Sequence, residues 1–217
     1  MTQQLLEQSL GALACEIPGA TRVFHAFNLD FCCGGQVSLS EAAKRRGVAA
    51  EAVVAQLETL RNQPGNGEDW RLVPAEQLIA HILSRYHARH REQLPELIRL
   101  ASRVEHVHGA RENCPNGLAE HLHNMQQELE SHMLKEEQIL FPALLDGVGQ
   151  RAAAPISVLR MEHEQHGEAL QRILDLTNNI IPPSNACNTW RALYRGLDEL
   201  RNDLMQHIHL ENNVLFA

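Results

Sequence analysis

The chain has 217 residues, a hydrophobic content of 44% and a formal net charge of -8, which suits one sizeable core and a smaller appendage. The acidic balance argues against nucleic-acid and membrane-surface partners, both of which call for clustered Lys and Arg. No stretch reaches the roughly 18 consecutive apolar residues of a membrane span, the opening segment lacks a basic start followed by an apolar block, and five irregularly spaced cysteines do not form a secreted disulfide framework. A reducing compartment, the cytoplasm, is expected.

Taken in chain order, the first third reads as short helices: Gly19 to Phe27, then Ser40 to Gly47, then Ala49 to Arg61, with Ser and Gly at the ends. Between the first two lies Leu29-Asp30-Phe31-Cys32-Cys33-Gly34-Gly35, where adjacent thiols precede a glycine pair. Backbone amides there could stabilise a thiolate, and a disulfide between neighbours would be strained. Transient redox, metal or nitric oxide chemistry at Cys32 and Cys33 is expected, the alternative being two small apolar side chains buried near a turn.

The polar, breaker-rich stretch Asn62 to Asp69 reads as a linker. This gives a small helical domain over 1–62, a linker over 63–73 and a main domain over 74–217. Four long helical patterns follow, at about 74–107, 115–145, 153–179 and 186–216, separated by Gly- and Pro-bearing breaks. Pro142 is expected to end or bend the second helix and Pro95 to kink the first. No strand-like alternation competes, so the fold class is all-α: an up-down-up-down four-helix bundle with a small helical N-terminal domain.

The bundle carries an internal repeat. Helix two contains His132 and Glu136 and runs on to Leu140-Phe141; helix four contains His207 and Glu211 and runs on to Leu215-Phe216. Both read HxxxExxxLF, 75 residues apart (132 to 207). Helix one has His87 and His90, helix three His163 and His166, so HxxH recurs 76 residues apart (87 to 163). A residue and its fourth successor lie about 40° apart and about 6 Å along a helix, so each His and Glu can meet one metal centre. One such pair is often only a surface contact; two matched copies, each with an HxxH upstream, are a specific signal.

Adding one His from each of helices one and three gives His87, His132, Glu136, His163, His207 and Glu211. Four imidazoles and two carboxylates suit iron or manganese more than thiolate-seeking metals, and two carboxylates can bridge two ions. His90 and His166 are read as hydrogen-bond partners behind the ligands, direct ligation being the alternative. His209 and His123 fall on the opposite helix faces and are expected in solvent. Glu128 and Glu162 could orient a ligand imidazole or relay protons, or simply face water.

A DFCCGG module followed by YHxRHREQLPEL, SHMLKEEQILFP, MEHEQHG and HIHLENNVLF closely resembles the di-iron proteins for repair of iron centres, the RIC family, over almost the whole chain. The resemblance implies a haemerythrin-like bundle with two iron ions, oxo- or hydroxo-bridged, on the same six residues, and Cys32 and Cys33 as the family's vicinal pair. It implies repair of iron-sulfur clusters damaged by nitrosative or oxidative stress, with nitric oxide bound, reduction to nitrous oxide as an enzymatic branch, and iron donated. The alternative is a haemerythrin-like oxygen or nitric oxide sensor or carrier without turnover. Damaged iron-sulfur proteins, nitric oxide or oxygen as small ligand and an electron donor of unknown identity are the partners expected; homodimer formation is left open. The family usually continues past LFP with a short tail, whereas this sequence stops at Ala217, so the end of helix four is expected to be less well closed.

Overall fold

The computed structural model describes residues 2–61, 69–147 and 149–217. Among them helices dominate and no sheet forms; Ser9 and Ser38 pair in an isolated antiparallel bridge. The chain divides into two compact units, residues 79–204 and residues 1–78 with 205–217. Among the described residues no helix is long and apolar enough to cross a membrane. Of the linker expected at 63–73, residues 63–68 lie outside the described residues; Trp70–Leu72 form a single 3-10 turn capped by Asp69.

The unit holding the chain's beginning contains α1 (Thr2–Glu7), α2 (Leu10–Glu16), α3 (Ala20–Ala26), α4 (Leu39–Arg46) and α5 (Ala50–Arg61). The first two were not anticipated from sequence. Serines start two of the helices: the Ser9 side chain accepts the Ala12 N–H and the Ser38 side chain accepts the Glu41 N–H, filling donors that have no partner inside a first turn. Their apolar faces meet in a core of Leu10, Leu13, Phe24, Leu29, Phe31, Leu39, Val53 and Leu57. Two glycines let the loop after α3 close on α2: Gly11 N–H donates to the Gly35 carbonyl at 2.8 Å, and a Cβ on Gly35 would lie 2.7 Å from the Phe31 carbonyl oxygen.

The other unit is built on four long helices: α6 (75–108), α7 (118–145), α8 (Gly149–Leu176) and α9 (188–215), whose last residues, from Met205, belong to the first unit. Contacts fix their directions. Arg85 pairs with Asp203, Leu97 packs on Gly196 and His108 stacks on Trp190, so α6 and α9 are antiparallel. His87 meets Glu137 while Glu105 caps the Ala119 N–H, so α6 and α7 are antiparallel too; Lys135 with Glu162 and His121 with Ala169 set α8 against α7 in the same way. The order is the expected up-down-up-down. Trp190 and Leu193, Leu197, Leu200 and Leu204, all fully buried, form the α9 face of the core.

Two prolines lie within helical segments. Pro95 is exposed inside Ala88–His108, which runs through it without a break. Pro142 sits in the first turn of Phe141–Leu145, where a missing N–H costs least, so it starts a helical segment instead of ending one.

Three π-helical turns interrupt the long helices, at Ile82–His87, Glu136–Leu140 and Glu211–Leu215. Each closes on an N–H donated to the carbonyl five residues back: Ala88 to Leu83, Phe141 to Glu136, Phe216 to Glu211. Such turns hold one residue too many for α geometry and occur mostly where a functional side chain must be re-aimed. Each of the three contains one of the residues singled out as metal ligands.

Candidate metal centre

In the four-helix unit, His87 closes the π-turn of α6, His132 and Glu136 face inward from α7, and His163 does so from α8. All four are at most 1% exposed. Glu136 uses its two oxygens separately: Oε2 lies 3.3 Å from His87 Nε2 and Oε1 lies 3.3 Å from His132 Nε2. His132 Nε2 in turn lies 3.0 Å from His163 Nε2. A fully buried carboxylate is tolerated only against positive charge or strong donors, and two imidazole nitrogens facing each other this closely share either one proton or one cation. The donor chemistry fits a metal ion.

The outward nitrogens are also engaged. His87 Nδ1 is 2.8 Å from Glu137 Oε1, which takes a hydrogen bond of 2.9 Å from Arg91; Arg91 forks onto Glu130 as well. His132 Nδ1 is 2.9 Å from Glu162 Oε2, and Glu162 is bound by Lys135. Partial burial pushes both carboxyls up, but their hydrogen bonds outweigh it, from Arg91 and His87 on Glu137 and from Lys135 and His132 on Glu162, and hold each below the usual range. Two carboxylates therefore accept the Nδ1 protons and leave Nε2 facing inward, the arrangement that orients histidine ligands.

In the other unit, His207 and Glu211 lie one turn apart at the end of α9, both fully buried, with His207 Nε2 3.0 Å from Glu211 Oε1. The expected loosening of that end is not seen: the Phe216 N–H is bonded to the Glu211 carbonyl and its ring is buried. The structure thus brings His87, His132, Glu136 and His163 together in one unit and His207 with Glu211 in the other.

His166 is buried with its ring edge-on to His132 at 4.9 Å, and His90 is buried beside Tyr86. Glu128 faces solvent, as does His123. His209, expected in solvent, is 3% exposed. Its face of α9 packs in the unit of the small helices, 5.7 Å from the Phe31 ring and 3.9 Å from Cys15 Sγ. That face points away from the bundle's own ligand stripe and is covered by the small helices instead.

Cys32 and Cys33 lie in the loop after α3 with no disulfide between them and their Sγ atoms 3.5 Å apart. Asp30 organises the loop: Oδ1 accepts the N–H groups of Cys32 and Cys33 and Oδ2 that of Gly34. The Asn212 side chain donates to the Cys32 carbonyl at 3.1 Å. Sequence reasoning missed Asp30 and Glu137. For the first, an aspartate two residues before a Gly-terminated turn was an available sign; for the second, its position beside Glu136 carried none.

Buried imidazoles sharing a buried carboxylate between helices define a metal-binding helical bundle. Residues 78–217 match the family described as Hemerythrin HHE cation binding domain, and residues 6–61 match a Domain of Unknown function (DUF542). The chain is 53% identical over 210 residues to the iron-sulfur cluster repair protein YtfE of Pectobacterium atrosepticum, covering 97% of this chain and 95% of that protein. It is 52% identical over 210 residues to the YtfE protein of Pectobacterium carotovorum subsp. carotovorum, at the same coverage. Against that of Yersinia pseudotuberculosis it is 53% identical over 209 residues, covering 96% and 95%. The chain belongs to this YtfE family of hemerythrin-type proteins.

Proposed function

We propose that this protein repairs iron-sulfur clusters damaged by nitrosative or oxidative stress, acting in the cytoplasm, with two bridged iron ions held by His87, His132, Glu136, His163, His207 and Glu211. The observation that carries the reading is Glu136, fully buried, with each oxygen 3.3 Å from an imidazole of a different helix; a carboxylate so placed is shaped to bridge two ions. The names of the relatives favour repair over a sensor or carrier without turnover.

Bound iron supplies open coordination positions for nitric oxide and the two electrons that, with two protons, convert two molecules of it into nitrous oxide and water. The residues of the chain do the rest. Glu137 and Glu162 hold the Nδ1 protons of His87 and His132 and keep Nε2 free to ligate. A groove of about 770 Å³ between α6 and α7, lined in part by His90, Leu94, Met133 and Ile139, has room for a small apolar molecule beside the bundle. Cys32 and Cys33, buried and half-buried in the loop after α3, serve in redox exchange or transfer.

The test is anaerobic incubation of the iron-loaded protein with an enzyme whose [4Fe–4S] cluster has been damaged by nitric oxide. Recovery of that enzyme's activity is expected with wild type and not with His132→Ala; equal recovery with both would overturn the reading. Headspace nitrous oxide from the reduced protein and nitric oxide tests the reductive branch separately, and its absence removes that branch alone.

A further inference from the structure

The loop after α3 holds a donor set that shares no residue with the histidines and glutamates above. Asp30, Cys32 and Cys33 each offer one ligand atom, and the three atoms lie within 4.8 Å of one another. The two Sγ atoms are 3.5 Å apart, and Cys32 Sγ is 3.3 Å from Asp30 Oδ1. With metal–sulfur bonds of about 2.3 Å and a metal–oxygen bond of about 2.0 Å, tetrahedral geometry asks for about 3.8 Å between two sulfurs and about 3.5 Å between sulfur and oxygen. The sulfur–sulfur spacing and the Cys32–Asp30 spacing each lie within a few tenths of an ångström of those values.

The scaffold is set by the backbone, through the three N–H groups that Asp30 accepts from Cys32, Cys33 and Gly34. The charge pattern is that of a cation site. All three groups are anionic when deprotonated, and without a cation each opposes ionisation of the others. The Cys32 thiol is accordingly pushed well above its usual range, first by its hydrogen bond with Cys33, then by burial and by the charges of Cys33 and Asp30.

We propose that Asp30, Cys32 and Cys33 form a second metal site, which binds a thiophilic divalent cation through two thiolates and one carboxylate oxygen and leaves a fourth position open. Cys32 is buried, Cys33 half-buried and Asp30 exposed, so the open position faces solvent. Loading is not a redox step: two metal–sulfur bonds form and two thiol protons leave. Sulfur selects zinc or cadmium over magnesium or calcium, and a site with three protein ligands exchanges its ion more readily than a closed one. The proposal deepens the transfer role given above to the cysteine pair.

Cadmium(II) titration of the full-length, iron-loaded protein, kept anaerobic with a phosphine reductant, tests it. Thiolate–cadmium charge transfer absorbs in the ultraviolet, and imidazole and carboxylate ligands give no such band. The band should saturate at one equivalent, and because two protons are displaced the apparent affinity should rise about 100-fold per pH unit while both thiols are protonated. Cys32→Ser and Cys33→Ser should each abolish the saturable band without loss of iron, and Asp30→Asn should weaken binding about tenfold. If Asp30→Asn does not fold, Cys33→Ser, an exchange of one atom at a half-buried position, decides the matter. A band that survives in both serine variants, or binding with no pH dependence, overturns the proposal. Iron analysis of the same samples separates the two readings: wild-type protein that gives the band but retains no iron sinks the bundle assignment alone, and in the serine variants the band lost with iron intact is the behaviour expected of a separate site.

Discussion

Glu137→Gln gives the most direct test of how the bundle orients its imidazoles. Glu137 accepts from His87 Nδ1 at 2.8 Å and from Arg91 at 2.9 Å. The amide keeps an oxygen acceptor for Nδ1–H but loses its charge, replacing a charge-assisted hydrogen bond of about 1.5–3 kcal/mol by a neutral one of about 1 kcal/mol. The expected loss of metal affinity is therefore about 0.5–2 kcal/mol, or roughly 2- to 30-fold, at or below the lower part of the range for residues behind metal-bound histidines. Apo stability should change little. Arg91 retains its fork to Glu130, at 2.9 Å from Nε and 3.0 Å from Nη2, and the Arg91–Glu137 pair is partly solvated, which limits its worth to about 1 kcal/mol. Anaerobic competition with a calibrated iron(II) chelator reads the affinity, and thermal melting of the metal-free protein reads the stability. Unchanged affinity, or an affinity loss matched by an equal loss of apo stability, would refute a specific orienting role.

Trp190→Ala removes a fully buried ring stacked on His108 and should cost about 3–5 kcal/mol in chemical denaturation, while the folded fraction keeps its iron-to-protein ratio. Gly35→Ala would put a Cβ 2.7 Å from the Phe31 carbonyl oxygen; the loop must shift, and a destabilisation of about 1–3 kcal/mol is expected in urea titration. Burial drives His209 down to about 4 from its ordinary 6.5. The unfolded chain then takes up a proton that the native protein refuses, so stability is full above pH 6.5 and falls as pH drops toward 4, by about 3 kcal/mol in all. His209→Leu should flatten that limb of the metal-free protein's stability–pH profile.

The all-α fold and the positions of the four long helices were legible because breakers punctuate the sequence at Gly109, at Cys114 to Gly117 and at Pro182-Pro183, and because nothing between them alternates as a strand. Helix three begins at Gly149, ahead of the expected 153, and runs through Pro155; the alanines at 152–154 favour the helix that the proline opposes. The candidate ligands were legible for a geometric reason: residues four apart share a helix face, so a duplicated HxxxE stands out from background. What escaped depends on partners far along the chain. The burial of His209 requires Phe31 and Cys15, and the use of Glu137 as acceptor for His87 depends on how neighbouring helices are rotated; Glu162, weighed in the sequence as an orienting group or a solvent-facing one, contacts His132 Nδ1. The π-turns escaped because one surplus residue in a helix leaves no mark in the local composition.

Those turns carry the repeat into the backbone. In both copies of HxxxExxxLF the surplus residue enters at the same place, with Glu136 and Glu211 each opening a π-turn that ends on the leucine before the phenylalanine. The two copies thus share a backbone irregularity as well as a residue spacing, and each presents its glutamate from the same register. The turn at Ile82–His87 has no counterpart in α8, which is α-helical from Gly149 to Leu176. The repeat is therefore matched in its two HxxxE helices and unmatched in its two HxxH helices.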